Sequence, residues 1–387
     1  MYIKNIRIKN IRSIADFNWS LDDSKKAPGW HVLIGDNGSG KSSVLRAVSL
    51  ALIGPRESFR LNPIWEEWLR NDTDKGSIML EVWHEARIDP QLKPGNRTKN
   101  NIEVELNLER QTPNGKVNFS EFASRNDGTS RERADNYIWN ERKGWFSAAF
   151  GPFRRFAGGD MQNQIILSTP GKAAAHASVF FESIALSSYR QWLANLDYTS
   201  TSPSTNEQDS KLARTLLGHL TDFINQEDFL PFDTRLDAIV PSPAGPSIIF
   251  VDGSGNHVSI EQLGDGYRSI LSMTLELIRQ MTLQYDLDTI FDPNDPTVIH
   301  APGVVLVDEI DAHLHPEWQR RIGGWLTTHF PNIQFIVTTH SPLVCQAASR
   351  GTIWRLPTPG SDEPSREVTR DSEDWKRLVN GNILEAY

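Results

Sequence analysis

The sequence predicts an α/β fold built on a buried parallel sheet, and three observations predict it. Val304 to Val307 and Gln334 to Thr338 are all but continuous apolar runs, as strands covered on both faces require. Pro316 to Phe330, between them, has the length and pattern of a crossover helix. Trp30 to Ile34 reads as a short strand that runs through a glycine-rich turn into a helix from Ser42 to Ile53, closed by Gly54-Pro55.

The chain has 387 residues, enough for two or three domains or one large domain with an insertion. Charged residues make up 23% and hydrophobic ones 38%, so neither a disordered chain nor a membrane protein is expected. No apolar run reaches the roughly 18 residues of a spanning helix. Lys4, Arg7 and Lys9 interrupt the hydrophobic residues of the first segment, unlike a secretion signal, and a cytoplasmic location is expected. The single cysteine, Cys345, excludes an intrachain disulfide and any cysteine-built metal site, and reads as a small buried apolar side chain. The formal charge of −9 recruits no nucleic acid globally. Two basic clusters could do so locally: Lys4, Arg7, Lys9 and Arg12, which suit a solvated strand face better, and Arg142, Lys143, Arg154 and Arg155 among Trp145, Phe146, Phe150, Phe153 and Phe156. For the second cluster a DNA-binding surface and a structural role stand level.

Before the first apolar run, Ile3, Ile6, Ile8 and Ile11 alternate with polar residues as paired strands do. Further strands are expected across 77–119, split by a polar loop over 89–101, forming an antiparallel layer. From about Gly171 to Glu227 the pattern is helical, interrupted by the Ser/Thr-rich stretch Thr199 to Asn206. Ser247 to Val251 and His257 to Ile260 flank Asp252-Gly253-Ser254-Gly255-Asn256 as a β-hairpin, and a helix follows from about Gly266 to Gln284. A last helix is expected from Glu373 to Tyr387. These patterns divide the chain into an N-terminal lobe, 1–160, an inserted helical subdomain, 161–240, and a C-terminal lobe, 241–387.

Gly35-Asp36-Asn37-Gly38-Ser39-Gly40-Lys41-Ser42 matches G-x-x-x-x-G-K-[ST] in full, between a predicted strand and a predicted helix. Its glycines let backbone N–H groups face phosphate oxygens, and the helix start presents partial positive charge to them. Lys41 would reach the β- and γ-phosphates of ATP, Ser42 would bind Mg²⁺, and Ser43 continues the binding segment. Asp308 and Glu309 follow the apolar run that ends at Val307, where ligands gather in open α/β sheets. Asp308 suits the Mg²⁺ shell, and Glu309 suits polarising a water, because successive residues point apart. His340 follows the next apolar run and could sense the γ-phosphate. Asp308 lies so far along the chain from Lys41 that an insertion must split the nucleotide domain.

Together these residues resemble the ABC-type ATPases of the SMC, RecF and overcoming-lysogenization-defect group. The resemblance implies an ABC-type P-loop ATPase head with a mixed central sheet, an antiparallel β layer and an inserted helical subdomain. It implies that Gly264, Asp265 and Gly266, within Leu263-Gly264-Asp265-Gly266-Tyr267-Arg268-Ser269, form the signature segment that reaches a partner copy's ATP. The family usually has serine where this chain has Gly264, which puts hydrolytic competence in question. Asp311-Ala312-His313-Leu314-His315-Pro316 resembles the D-loop, and Arg12-Ser13 resembles the pair that touches nucleotide. Gln162 or Gln164 would then be the Q-loop residue at the metal, with Gln162 taken as the ligand.

Within that group the segments Gly-Asp-Gly-Tyr-Arg-Ser and Asp-Glu-Ile-Asp-Ala-His-Leu-His-Pro look most like the Septu PtuA family and its retron-associated relatives in anti-phage defence. The resemblance implies a homodimer or higher oligomer formed on ATP, acting as a switch over a separately encoded nuclease of the HNH type. The segment after Arg350 is too short for a nuclease domain of the TOPRIM kind, so nuclease activity is expected from another polypeptide. DNA is a candidate partner, and no membrane is implied. A RecF-like repair clamp, or an ATP-binding scaffold with little turnover, shares every motif.

Overall fold

The computed structural model describes residues 1–61, 64–83, 101–111, 115–121, 134–139, 145–154, 166, 171–227, 229–230, 233–240, 246–292, 294–361, 363–370 and 372–380. Strands β1 (Tyr2–Ile11), β2 (Ile14–Ser20), β4 (Lys75–Trp83), β5 (Ile102–Arg110) and β6 (Val117–Glu121) form an antiparallel sheet in the order β2-β1-β4-β5-β6. In β5 the buried Ile102, Val104, Leu106 and Leu108 alternate with more exposed residues, so one face packs and one meets solvent.

The second sheet has the order β14-β13-β3-β12-β11-β7, made from β3 (Gly29–Ile34), β7 (Phe146–Phe150), β11 (Gly303–Val307), β12 (Ile333–Thr339), β13 (Ile353–Arg355) and the edge strand β14 (Arg366–Glu367). All its pairings are parallel except β13 with β14, which makes the sheet mixed. Successive residues of its strands serve two cores. Trp30, Val32, Val305 and Val337 face one core, and Leu33, Leu306 and Ile336 face the other. Burial on both faces is why β11 and β12 read as unbroken apolar runs rather than as alternation.

Helix α1 (Lys41–Arg60) fills the second core, between this sheet and the antiparallel one. It continues beyond the predicted stop: Gly54 breaks the helical geometry at φ 82° and ψ 169°, and the chain resumes helix to Arg60. Pro55 permits the restart, because a proline at the first position of a helical turn lacks only an N–H that would be unpaired there anyway. The two sheets are clamped by one buried amide. Ile3 N donates to Gln334 Oε1 (2.7 Å), and Gln334 Nε2 donates to Ile3 O (2.9 Å).

The first core is closed by helices. After α2 (Lys172–Phe180), α3 (Ser188–Thr201) and α4 (Glu207–Ile224) are joined by a turn through Ser202 to Asn206, inside the predicted interruption. Asn206 caps α4 by accepting from Asp209 N (2.8 Å), and Leu216, Leu220, Phe223 and Ile224 bury one stripe of the helix at helical spacing. Strand β8 (Arg235–Val240), which the sequence patterns do not anticipate, pairs with β9 (Ser247–Val251). β9 in turn pairs with β10 (His257–Ser259) in the expected hairpin. Helix α5 (Asp265–Thr282) follows, and α6 (Pro316–His329) crosses from β11 to β12, burying Trp318, Ile322, Trp325 and Leu326. Of the final predicted helix, Glu373–Trp375 is α-helical and Lys376–Asn380 has wider turns, with 381–387 outside the described residues. Most of the 89–101 loop also lies outside them. Among the described residues no helix is long and apolar enough to cross a membrane. Cys345 is fully buried, as expected, and burial pushes its thiol up to about 12.

Two buried histidines make the fold acid-sensitive. His31 lies between Thr352 Oγ1 (3.0 Å) and the carbonyl of Ala27 (2.9 Å), and burial lowers it to about 4. His176 lies between Ser49 Oγ (2.7 Å) and Ser147 Oγ (3.0 Å), and burial, then the charge of Lys172, lowers it to about 3. Both stay neutral in the folded chain while the unfolded chain takes up protons near pH 6.5. Their contribution is therefore complete above that pH and is lost as pH falls through it toward the folded values. The urea midpoint should drop between pH 7 and pH 5, with each histidine accounting for about 2 kcal/mol. His31→Gln should flatten that slope, and a slope unchanged by it would contradict the assignment.

Candidate nucleotide site

Parallel register brings four loops to one edge. Ile34 pairs with Thr339, Val337 with Val307, and Val307 with Phe150, so β3, β12, β11 and β7 all end side by side. The segments leaving those ends begin with Gly35, His340, Asp308 and Gly151.

The loop from Gly35 to Gly40 runs directly into α1. Gly40 takes φ 97°, and a Cβ built there would stand 3.0 Å from Ser13 Oγ and 3.0 Å from Ile14 Cγ1, so strain and space both select glycine. The loop is closed by Ser39 N donating to Asp36 O (3.2 Å). Lys41 is 5% exposed and donates to the carbonyls of Gly35 (2.7 Å) and Asp36 (2.9 Å). Asp36 is also tied to the segment after β13, where Thr358 Oγ1 donates to its Oδ2 (3.0 Å). Asn37 is exposed, whereas Ser42 and Ser43 are half-buried on the first turn of α1. Burial depresses the Lys41 ammonium, opposed by Glu309, Asp308, Asp36 and Asp311 in that order. The carboxylates that follow β11 therefore lie within electrostatic reach of Lys41.

Asp308 is 1% exposed. Its Oδ1 accepts from Thr338 Oγ1 (2.5 Å), and its Oδ2 is buried with no hydrogen-bond partner. Glu309, half-buried, sits in the left-handed region at φ 45°, and its N–H donates to the same Thr338 hydroxyl (2.8 Å). One threonine therefore holds the side chain of the first acidic residue and the backbone of the second. Thr339 does likewise for Asp311, donating to its Oδ1 (2.6 Å) while accepting from Ser341 N (2.9 Å). His340 is half-buried between these two anchored segments.

Gly264 to Gly266 open α5. A Cβ at Gly264 would meet nothing nearer than Tyr267 Cδ2 at 3.9 Å, so glycine is not required there and a serine would fit. Gly266 is different: a Cβ would come within 2.8 Å of the His313 carbonyl, so this close approach to the segment after β11 demands glycine. Asp265 pairs with Arg268 on the helix surface. Ser13 lies against the loop beside Gly40, but Arg12, at φ 50°, lays its guanidinium over Trp68, 4.9 Å from the ring centroid.

Of the two roles left open for the second basic cluster, Arg154 itself takes the structural one. It is 6% exposed, and Trp145, Phe146 and Phe150 around it are buried as well. Its guanidinium makes six hydrogen bonds, to the carbonyls of Gly151, Asp308, Glu309, Ile310 and Ala312 and to Ser269 Oγ. No donor is left to face a phosphate backbone. Burial lowers the guanidinium to about 10, opposed by Asp311, Asp308 and Glu309. Gln162, Gln164, Arg142, Lys143, Arg155 and Phe156 lie outside the described residues. Thr338, Thr339, Arg154 and Ser269 are the supporting residues that motif matching passes over. A paired threonine ending a buried strand, and an arginine just after one, are the signals that could have flagged the first three.

The strand order, the loop entering α1 and the paired acidic residues that follow β11 give the fold of an ABC-type P-loop ATPase head. Residues 31–346 match the family described as "AAA domain, putative AbiEii toxin, Type IV TA system", and the chain belongs to it. The chain is 26% identical to a Septu protein PtuA of Bacillus mycoides over 357 residues, 91% of this chain and 40% of that protein. It is 41% identical to a "Retron Ec83 probable ATPase" of Escherichia coli over 111 residues, 29% of this chain and 19% of that protein. The chain thus spans less than half the length of these curated relatives. Its fold matches an Smc head crystallised with the C-winged helix domain of ScpA, with TM-score 0.55 and 17% identity over 95% of this chain and 98% of that one.

Thr338→Val removes the hydroxyl while keeping the shape, stranding a buried carboxylate oxygen and the Glu309 N–H. It should destabilise the protein by about 2–3 kcal/mol in urea titrations, whereas Thr338→Ser should stay near wild type. Equal loss in both variants would show that the methyl group, not the hydroxyl, matters.

Proposed function

We propose that the chain binds and hydrolyses ATP, and that it works as a dimerising switch in bacterial anti-phage defence. One observation carries this reading: Lys41, at the start of α1, lies within electrostatic reach of the acidic residues that follow β11, one of which keeps a buried oxygen unpaired. A triphosphate laid along Gly35 to Ser43 would meet backbone N–H groups and the N-terminus of α1. Lys41, free to leave two carbonyls for stronger anionic acceptors, would take the β- and γ-phosphates.

The residues present suit magnesium. Asp308 Oδ2 offers one carboxylate oxygen, and Ser42 offers a hydroxyl on the adjoining helix turn. Magnesium commonly takes just one or two carboxylates and completes its shell with water and phosphate. Bound there, the ion would neutralise charge on the transferring phosphate. Gln162 is proposed as a further ligand.

Glu309 would accept a proton from the attacking water, leaving ADP as the β–γ bridge breaks, while His340 would contact the γ-phosphate. Arg12 and Ser13 are proposed to touch the nucleotide, Ser13 from its place beside Gly40. Gly264, Asp265 and Gly266 are exposed or half-buried at the start of α5, and in a head-to-head pair would present α5's N-terminus to the partner copy's phosphate. The open space around Gly264 supports backbone contact in place of the missing serine hydroxyl. We further propose the division into lobes 1–160 and 241–387 around an insert, 161–240, a cytoplasmic setting, and an output that controls a separately encoded nuclease of the HNH type.

Phosphate release from Mg-ATP, measured with and without double-stranded DNA, tests the reading. Lys41→Ala should weaken nucleotide binding by at least about 100-fold, and Glu309→Gln should retain binding, lose about 100-fold in turnover and trap dimers visible by size exclusion. Normal turnover by Glu309→Gln would remove Glu309 from the role of base, and release that persists in Lys41→Ala would assign the activity to another site.

A further inference from the structure

The acidic turn after β11 and the start of α5 are joined by a buried cation that belongs to neither. Arg154 enters from the end of β7. Its Nη1 donates to Asp308 O (3.0 Å) and Gly151 O (3.5 Å), and its Nη2 donates to the carbonyls of Glu309 (3.1 Å), Ala312 (3.3 Å) and Ile310 (3.4 Å). Its Nε donates to Ser269 Oγ (2.9 Å), one turn into α5 and itself 6% exposed. A planar guanidinium with five donors can span such a ring of acceptors, and an ammonium cannot.

Carbonyls of one turn converge on a single point only if the backbone curls, and Glu309 sits at φ 45°, a region that disfavours a side chain. The six bonds oppose that strain. The start of α5 touches the same turn a second time through the close approach of Gly266 to the His313 carbonyl. Movement of α5 would therefore pull on Arg154 and on the backbone beneath Glu309 together.

We infer that Arg154 is a positioning residue that locks the Asp308–Ala312 turn to the first turn of α5, so that the placement of Glu309 depends on the position of the Gly264–Gly266 segment. This rests on the proposed hydrolysis of ATP for its functional meaning. A structural ornament of the core would support stability alone; a coupling element transmits a change on α5 to residues that α5 does not carry.

Ser269→Ala cuts the link to α5 and leaves every carbonyl of the turn bonded. It should lower kcat about five- to thirty-fold with KM for ATP changed less than twofold, and Ser269→Thr, which keeps the hydroxyl, should restore the rate. Arg154→Lys, which keeps charge but not the fork, should reproduce the kcat loss. Hydrogen exchange gives a readout independent of turnover. Ser269→Ala should accelerate exchange in peptides covering 308–314 and not in the C-terminal half of α5. Exchange altered in α5 alone, or a kcat that Ser269→Ala leaves within twofold of wild type, would overturn the coupling. Should the wild-type chain release no phosphate, the ATPase reading fails by itself, and the exchange comparison still decides the link.

Discussion

The hydrogen bond from Thr338 Oγ1 to Asp308 Oδ1, 2.5 Å long, joins the ends of two adjacent parallel strands at the point where the sheet becomes a site. A carboxylate at 1% exposure survives in a fold only when its charge is answered. Here Thr338 answers one oxygen, Lys41 and Arg154 supply positive charge nearby, and the second oxygen stays available. Because Thr338 also accepts from Glu309 N, the same hydroxyl fixes the curl of the following residue. The register of β12 against β11 sets that geometry, and a slip of one residue would turn the threonine to the opposite face.

Stiffness around the site follows from how the sheet is buried. Its residues alternate between two cores, so β3, β11 and β12 cannot shift without disturbing packing on both sides. Gln334 extends the constraint to the antiparallel sheet through its paired bonds with the Ile3 backbone. Beside this floor stand more exposed segments: the first residues of α5, and the stretch after β13 that reaches Asp36 through Thr358.

The family match spans residues 31–346 and the fold likeness 95% of the chain, while the named relatives are much longer than the part they share with it. The departure at Gly264 is not forced by packing, since the space there admits a side chain, whereas Gly266 is forced by the backbone of His313. Two glycines two residues apart thus have different physical origins, a distinction invisible in the string Gly-Asp-Gly.

The sequence by itself determined the glycine-rich loop, the buried strands and the acidic pair, because each depends on local geometry: glycines that permit φ above zero, apolar runs without alternation, and acids at a strand end. It also located the β9–β10 hairpin and α6 within a residue or two. Only the tertiary structure decided what Arg154 does. Basic and aromatic residues side by side suit a nucleic-acid surface or the inside of a fold equally well, and what separates the two is whether five carbonyls and a hydroxyl from distant segments converge on the cation. That convergence arises from the pairing of β7 with β11 and the docking of α5, contacts between residues more than a hundred positions apart, to which no local pattern in the chain is sensitive.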